Sequence, residues 1–330
     1  VSIVASQAGD TNWLGATNAP VTFNVTKAPA TVMLSNTNQG YTGAGVAVTV
    51  TTDPAGLSTL TTYNGVTNQP VNLGAYAVTS TVTDALYEGS AVGTLTIGKG
   101  SASVYLLTLT QIYDGTARSV TATTDPSGLT VGFTYDGHAW APTNVGTYAV
   151  TGTVDNANYQ GSQTGTLSIT KADQTITFNP IVPQKLTASV GLAATADSGL
   201  AVSFSANPPG SISDDTNLTF SAVGDAMVVA SQIGDGNYNA APSVTNMVKV
   251  FTVTPDNGPF AGGNSVTVSN GNFGTITNVT VGGVPATIEG SGTNWVRIMS
   301  PTNTVGVKDI VIQTGSDITL FGAYTYNMAG

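Results

Sequence analysis

At 330 residues the chain has room for one large domain or several small ones, and it carries a formal net charge of −10 with only 8% charged residues. Eight scattered Lys and Arg form no basic stripe to track phosphates, which argues against nucleic acid as a partner. The absence of Cys excludes disulfide stapling, thiol catalysis and Cys-ligated metals, and no apolar run approaches the ~20 residues of a membrane span.

Residues 1–28 read as the end of a β-module. Val4-Ala-Ser-Gln7-Ala-Gly9-Asp10-Thr-Asn12-Trp13 matches Val229-Ala-Ser-Gln232-Ile-Gly234-Asp235-Gly-Asn237-Tyr238, a stretch that stands late in its own module. Two expectations follow: the segment belongs to a longer array, or it supplies strands to a neighbouring subunit. Val4, Trp13, Val21 and Phe23 are the assembly candidates here, with Tyr324 and Tyr326 at the other end.

Residues 29–100 and 101–172 are two copies of one module. Residues 30–99 align with 102–171 without a gap, and 35 of the 70 positions are identical. Period-two alternation predicts half-buried strands: Val46, Val48 and Val50; Tyr76, Val78, Ser80 and Val82; Leu95 and Ile97. Asp53-Pro54-Ala-Gly56 and Tyr63-Asn64-Gly65 are turns, because Pro presets φ and Gly accepts positive φ. In the second copy His138 replaces Val66 and Trp140 replaces Asn68.

Residues 173–251 read as a diverged third copy, closing with Val228-Val-Ala-Ser-Gln232 and the Gly-Asp-Gly-Asn-Tyr238 turn. Lys27, Lys99, Lys171 and Lys249 stand near the module ends and are expected to be solvated, with linkers of two or three residues favouring a semi-rigid rod. Residues 252–330 change character, with Pro255-Asp-Asn-Gly258-Pro259-Phe-Ala-Gly262-Gly263 followed by Val281-Gly282-Gly283-Val-Pro285-Ala286.

That last pattern resembles the TIG (also called IPT) immunoglobulin-like domain along its whole length. The earlier modules resemble the mostly-β, glycine-rich MBG modules, on Tyr113-Asp-Gly115, Gly146-Thr-Tyr-Ala-Val150, Asn158-Tyr-Gln-Gly161 and Leu167-Ser-Ile-Thr-Lys-Ala172. The first copy keeps this frame less fully, with Thr42 for Asp and Leu86 for Asn, and the third departs further. The resemblance implies large, multi-module bacterial cell-surface proteins or adhesins; it implies no ligand.

Chemistry has few places to reside. His138 is the sole His, in a hairpin turn whose other copy carries Val66, so a Ser-His-Asp set is not indicated. Glu88 and Glu289, the only two Glu, lie in different modules, which disfavours two-carboxylate glycosidase chemistry. Weak calcium candidates are Asp214 and Asp215, with Asp10 and Asp235 in the Gly-Asp-x-Asn turns, although plain turn chemistry explains them too. Trp13, Trp140 and Trp295 lie in different modules, so core or junction packing is their default, with Trp140 and His138 the best contact surface.

The expectation is an all-β tandem array of small immunoglobulin-like β-sandwich modules, non-catalytic and without cofactor apart from a candidate structural calcium ion. It would be an extracellular structural segment of a filament, stalk or large adhesin. Its partners would be other copies of itself or adjacent modules. The alternatives are an adhesin region binding glycan or protein, and accessory modules of a secreted polysaccharide-degrading enzyme.

Overall fold

The structure, a computed structural model, describes residues 1–270 and 273–328. The described chain is all β, without a helix, so none is long and apolar enough to cross a membrane. It divides into two units, Val1–Thr110 with Ala117–Pro142 and Thr147–Ser168, and Gln111–Thr116 with Thr143–Gly146 and Ile169–Gly330.

In the first unit the first repeat is a two-layer sandwich. One layer pairs Thr31–Ser35 with Thr49–Asp53. The other is a four-stranded sheet ordered Asn38–Gly40, Ser90–Gly98, Gly74–Val82, Thr59–Tyr63. Alternation sets which face is inward: Val78, Ser80, Val82, Leu95 and Ile97 are buried, whereas Thr79, Thr81 and Thr96 are exposed. Val46 and Val48 join this core with Tyr63, and Val50 packs against it. The second repeat shows the same pairings, Ser103–Leu107 with Thr121–Asp125 and Val131–Tyr135 with Gly146–Val154.

The hairpin at Asn64-Gly65 shows why the turn residues recur. Asn64 and Gly65 have φ of 49° and 85°, and Asp136 and Gly137 have 47° and 84°, the double positive φ of a two-residue hairpin loop. The side chain of the first residue then accepts the N–H of Ala77, or of Ala149 in the second copy, at 2.8 Å. The preceding tyrosine reaches across the sandwich: Tyr63 Oη accepts the Val48 N–H at 3.1 Å, and Tyr135 Oη accepts that of Val120 at 3.0 Å. Both N–H groups are buried, so Tyr135→Phe should cost about 1–3 kcal/mol in denaturant melts, the cost of an unsatisfied buried donor. A loss below about 0.5 kcal/mol would mean that water replaces the phenol.

In the second unit, Gly224–Ser231 runs antiparallel to Val244–Thr254, with Ser203–Ala206 on its other side. Ala226, Val228, Ala230, Val248 and Val250 form its inward face, packed with Phe178, Leu192 and Leu218. Val244–Thr254 does not stop at residue 251: its residues 252–254 pair with Ser265–Ser269, so one strand serves two cores. Phe251 already belongs to the second of these cores, with Val266, Val268, Val279, Ile298, Ile310 and Leu320. Gly282 and Gly283, at φ 54° and 81°, close the hairpin from Asn278–Val281 to Val284–Pro285.

Tyr324 and Tyr326 require a correction. They are 1% and 0% exposed and meet edge-on at 5.0 Å inside the last core, so they hold that core together and offer no assembly surface. Tyr326 Oη donates to the Pro301 carbonyl at 2.7 Å. Burial, then the neighbouring Tyr324, pushes its phenol up to about 12. The folded state therefore keeps a proton that the unfolded chain releases near the ordinary tyrosine value of about 10. The protonated phenol is compatible with folding throughout, but above pH ~10 the unfolded state gains from ionising, so stability should fall between about pH 10 and 12. Tyr326→Phe should flatten that fall in melts recorded at stepped pH. An unchanged slope would show that other groups cause it.

Candidate functional site

The feature that recurs is the junction between successive β-modules. In each case a lysine at a module's end points its ammonium at a backbone carbonyl in a turn of the next module. Lys27 Nζ donates to Asp84 O at 2.6 Å, Lys99 Nζ to Asn156 O at 2.6 Å, and Lys171 Nζ to Asp235 O at 2.5 Å. The lysines are exposed but not merely solvated, which corrects their reading as free strand-end charges.

The receiving turn is built the same way each time. Its first residue is Asp or Asn, and the side-chain oxygen accepts the N–H two residues on and, at Asn156 and Asp235, also the one three residues on. Asn156 Oδ1 accepts Asn158 and Tyr159 at 2.8 and 3.1 Å; Asp235 Oδ1 accepts Asn237 and Tyr238 at 2.8 and 2.8 Å; Asp84 Oδ1 accepts Leu86 at 2.7 Å. That leaves the backbone carbonyl of the same residue facing outward to the lysine.

Two further contacts complete the junction. The linker after the lysine adds a short parallel ladder to the turn: Ala28–Pro29 along Tyr87–Glu88, Gly100–Ser101 along Tyr159–Gln160, and a single bridge from Ala172 to Tyr238. Aromatic edges then meet. Tyr159 lies on Tyr41 at 5.4 Å and 85°, and Tyr238 on Tyr113 at 5.3 Å and 85°. Edge-to-face pairs of this kind add about 0.5–1.5 kcal/mol beyond the area they bury. At the last of these turns Asn237 Oδ1 also accepts the Val145 N–H at 3.0 Å. Every contact described here lies within a single unit.

Lys249 is not of this class. In strand register Ile97, opposite Gly74, and Val250, opposite Gly224, are equivalent inward residues, so Thr252 stands where Lys99 stands. Lys249 instead lies within Val244–Thr254 and pairs with Asp225 at 3.4 Å.

Two of the four carboxylates considered for calcium, those of Asp10 and Asp235, serve their own turns. Asp10 Oδ1 accepts the N–H groups of Asn12 and Trp13, Asp235 serves its turn as above, and Asp214 and Asp215 adopt φ of 48° and 62° in the loop before Asn217–Phe220. Among the described residues no group of three or more His, Cys, Asp or Glu is placed to hold a metal. Asp197 is held below the usual carboxylate range, because the Thr175 backbone N–H and then its hydroxyl donate to it.

The tryptophans do not follow their default. Trp13 and Trp140 are 75% and 69% exposed, so neither packs in a core. Trp140 stacks on His138 at 4.4 Å and 19°, just past the Asp136-Gly137 turn. Trp295 alone is half-buried, with Arg297 5.7 Å from its ring.

Residues 1–28 form a hairpin of Ser2–Gln7 with Ala16–Thr22, and both strands are exposed along their length. Val4, Val21 and Phe23 are 50%, 66% and 43% exposed. Ile3 pairs with Val21 as Val228 pairs with Asn246, so Ile3, not Val4, is the equivalent of buried Val228. Phe23, opposite Val1, is the equivalent of buried Val248. Val4 is therefore corrected: its equivalent, Val229, lies off the core face of that pair, and Val1, Ile3, Val21 and Phe23 carry the apolar side.

The junction acceptors Asp84, Asn156 and Asp235 and the paired tyrosines were missed in the sequence. A signal existed: Asp or Asn, two residues, then Tyr or Trp recurs at 84–87, 156–159, 235–238 and 10–13.

The family model of the MBG domain matches residues 30–101 and 102–173, so the two repeats are tandem copies of that domain pattern. No curated protein matches the chain. Among solved structures it is similar to a Bacteroides ovatus mixed-linkage glucan utilization locus protein, SGBP-B, in complex with a mixed-linkage heptasaccharide, at 17% identity and a TM-score of 0.21, covering 68% of this chain and 66% of that one. The surface layer protein SbsC, domains 1–6, gives 16% identity and a TM-score of 0.24 over 80% of this chain and 46% of that one. Sidekick-1 immunoglobulin domains 1–5 give 11% and 0.22 over 91% and 81%. This chain thus spans less than two thirds of the first two, and at these TM-scores the likenesses carry no argument about its function.

Proposed function

We propose that the chain is a non-catalytic structural segment of a bacterial extracellular stalk, filament or large adhesin. Its parts would be the end of one module (1–28), two MBG repeats (29–100 and 101–172), a diverged third (173–251) and a TIG-like domain (252–330). The observation that carries this reading is the recurring junction, in which a lysine–carbonyl bond, a parallel ladder and, at two of the three junctions, a tyrosine pair are rebuilt. Such nearest-neighbour contacts would link each module to the next. Single-molecule extension of the 330-residue chain tests it. A load-bearing array should give discrete unfolding steps, each releasing about 250 Å of contour for ~70 residues, less the folded module's own length. Extension without steps would sink the proposal.

One observation favours a second reading, a binding region for glycan or protein. The exposed His138–Trp140 stack is present in one repeat and absent from the other. Trp140→Asn restores the residue that the first repeat carries, Asn68. Binding to insoluble polysaccharides should then be lost while the melting curve stays in place. Equal retention of parent and variant would remove this reading.

A further inference from the structure

The Asp10–Trp13 turn has the build of the turns that receive a neighbouring module. Asp10 Oδ1 accepts the N–H groups of Asn12 and Trp13 at 2.9 and 3.0 Å, as Asp235 Oδ1 accepts those of Asn237 and Tyr238. The Asp10 N–H donates to Trp13 O at 2.9 Å, as that of Asp235 donates to Tyr238 O at 3.1 Å. Gly9 and Gly234 enter the turns at φ 73° and 77°, and both N–H groups are held by a glutamine, Gln7 or Gln232. A side chain on either glycine would strike the turn's own backbone, at 2.5 Å from Trp13 O or 2.4 Å from Tyr238 O.

The two turns differ in what lies against them. At 235–238 the Lys171 ammonium sits on the carbonyl of the first residue and the Tyr113 ring on the aromatic of the fourth. At 10–13 the aromatic is Trp13, 75% exposed, and the next residue, Leu14, is 96% exposed.

We infer that the Asp10–Trp13 turn is a docking surface for the lysine-and-tyrosine end of another repeat of this type. A lysine ammonium would bond to Asp10 O, and the tyrosine of a Tyr-x-Gly loop would meet the Trp13 indole edge-on. The occupant is specified by chemistry. The turn offers a carbonyl for a cation and a large π-face, and where the same arrangement is occupied in this chain, at 235–238, the occupant is this pair. In a second copy of the chain Tyr41, Lys99, Tyr113 and Lys171 are already engaged, so the occupant is a further repeat and not a second copy. Trp in place of Tyr enlarges the apolar face and adds an indole N–H. The inference deepens the reading of the chain as an array, and its failure would leave the three existing junctions as they are.

The test grafts residues 101–225 ahead of Val1 in the full chain, with Trp140→Asn in both copies so that Trp13 and Trp295 are the emitters. By strand register the graft supplies a Tyr113–Lys171 end and the strands that cover Ile3 and Phe23. Acrylamide quenching of Trp13 should fall severalfold relative to the ungrafted chain, and Lys171→Met or Tyr113→Ala within the graft should restore it. Hydrogen-exchange protection at Ile3 and Val21 reports that the graft has closed; Trp13 left accessible in a closed graft overturns the inference. Should the graft not close, the double substitution Gly236→Thr, Tyr238→Trp writes the Asp-Thr-Asn-Trp turn into an existing junction. Gly236 has open space for the new side chain. An indole shielded there, with the melting temperature retained, supports the inference. An exposed indole with a lowered melting temperature overturns it.

Discussion

Leu95→Ala should destabilise the first repeat by about 2–5 kcal/mol, the range for truncating a fully buried leucine. Leu95 has no exposed surface, and its core consists of Val46, Val48, Tyr63, Val78 and Ile97 with partly buried neighbours. With no cysteine to form a disulfide, a module of ~70 residues holds only about 4–10 kcal/mol in all. One substitution therefore removes a large part of the repeat's stability. Hydrogen exchange should show the loss confined to 29–100, the Asp84 turn that receives Lys27 included, while the cores built on Phe251 and on Val248 keep their protection. A uniform loss across all cores would mean that the modules fold as one cooperative body, against the nearest-neighbour picture.

The strands and hairpins were legible because they are written in period two and in Asn-Gly, Asp-Gly and Gly-Gly pairs. Val78, Ser80, Val82, Leu95 and Ile97 are buried in that alternation, and Gly282-Gly283 makes the turn its spelling implies. Tyr324 and Tyr326 were misplaced for a physical reason. A tyrosine at a chain end reads equally as a wet interface residue or as a core residue with a bonded hydroxyl, and only the Pro301 carbonyl, distant in sequence, decides between them. Trp13 and Trp140 failed in the opposite direction, since their bulk suggests burial while both flank tight turns and stay largely exposed. The junction lysines were visible as a period, but not their acceptors: a backbone carbonyl has no letter in the sequence, and Lys27 and Asp84 are 57 residues apart. Lys249 stands near a module end in the sequence but out of register with the other three, which only strand pairing reveals.

Gly161→Ala should be the most damaging of the small substitutions at a junction. A Cβ at Gly161 would stand 2.0 Å from Ala102 O and 2.9 Å from its carbonyl carbon, and one at Gly89 would stand 2.1 Å from Ala30 O. Both obstacles are backbone, and both belong to the linker that runs beside the receiving turn, where Ala102 N–H donates to Gln160 O at 2.8 Å and Ala30 N–H to Glu88 O at 2.7 Å. Neither glycine has positive φ, so the requirement is space and not conformation. To fit a methyl group the linker must lift from Tyr159–Gln160. That should weaken the Lys99–Asn156 bond and draw Tyr159 away from Tyr41. Overpacking of this kind costs about 1–3 kcal/mol, and contact with rigid backbone places it at the upper end. Gly98→Ala is the matched control, on a neighbouring strand with open space and ordinary φ, and should change little. Thermal melts compare the two, and exchange at Gly100 and Ala102 shows whether the ladder has opened. If both variants melt alike with the ladder protected, the glycine is not what admits the linker, and the junction must hold by the lysine and the aromatic edge alone.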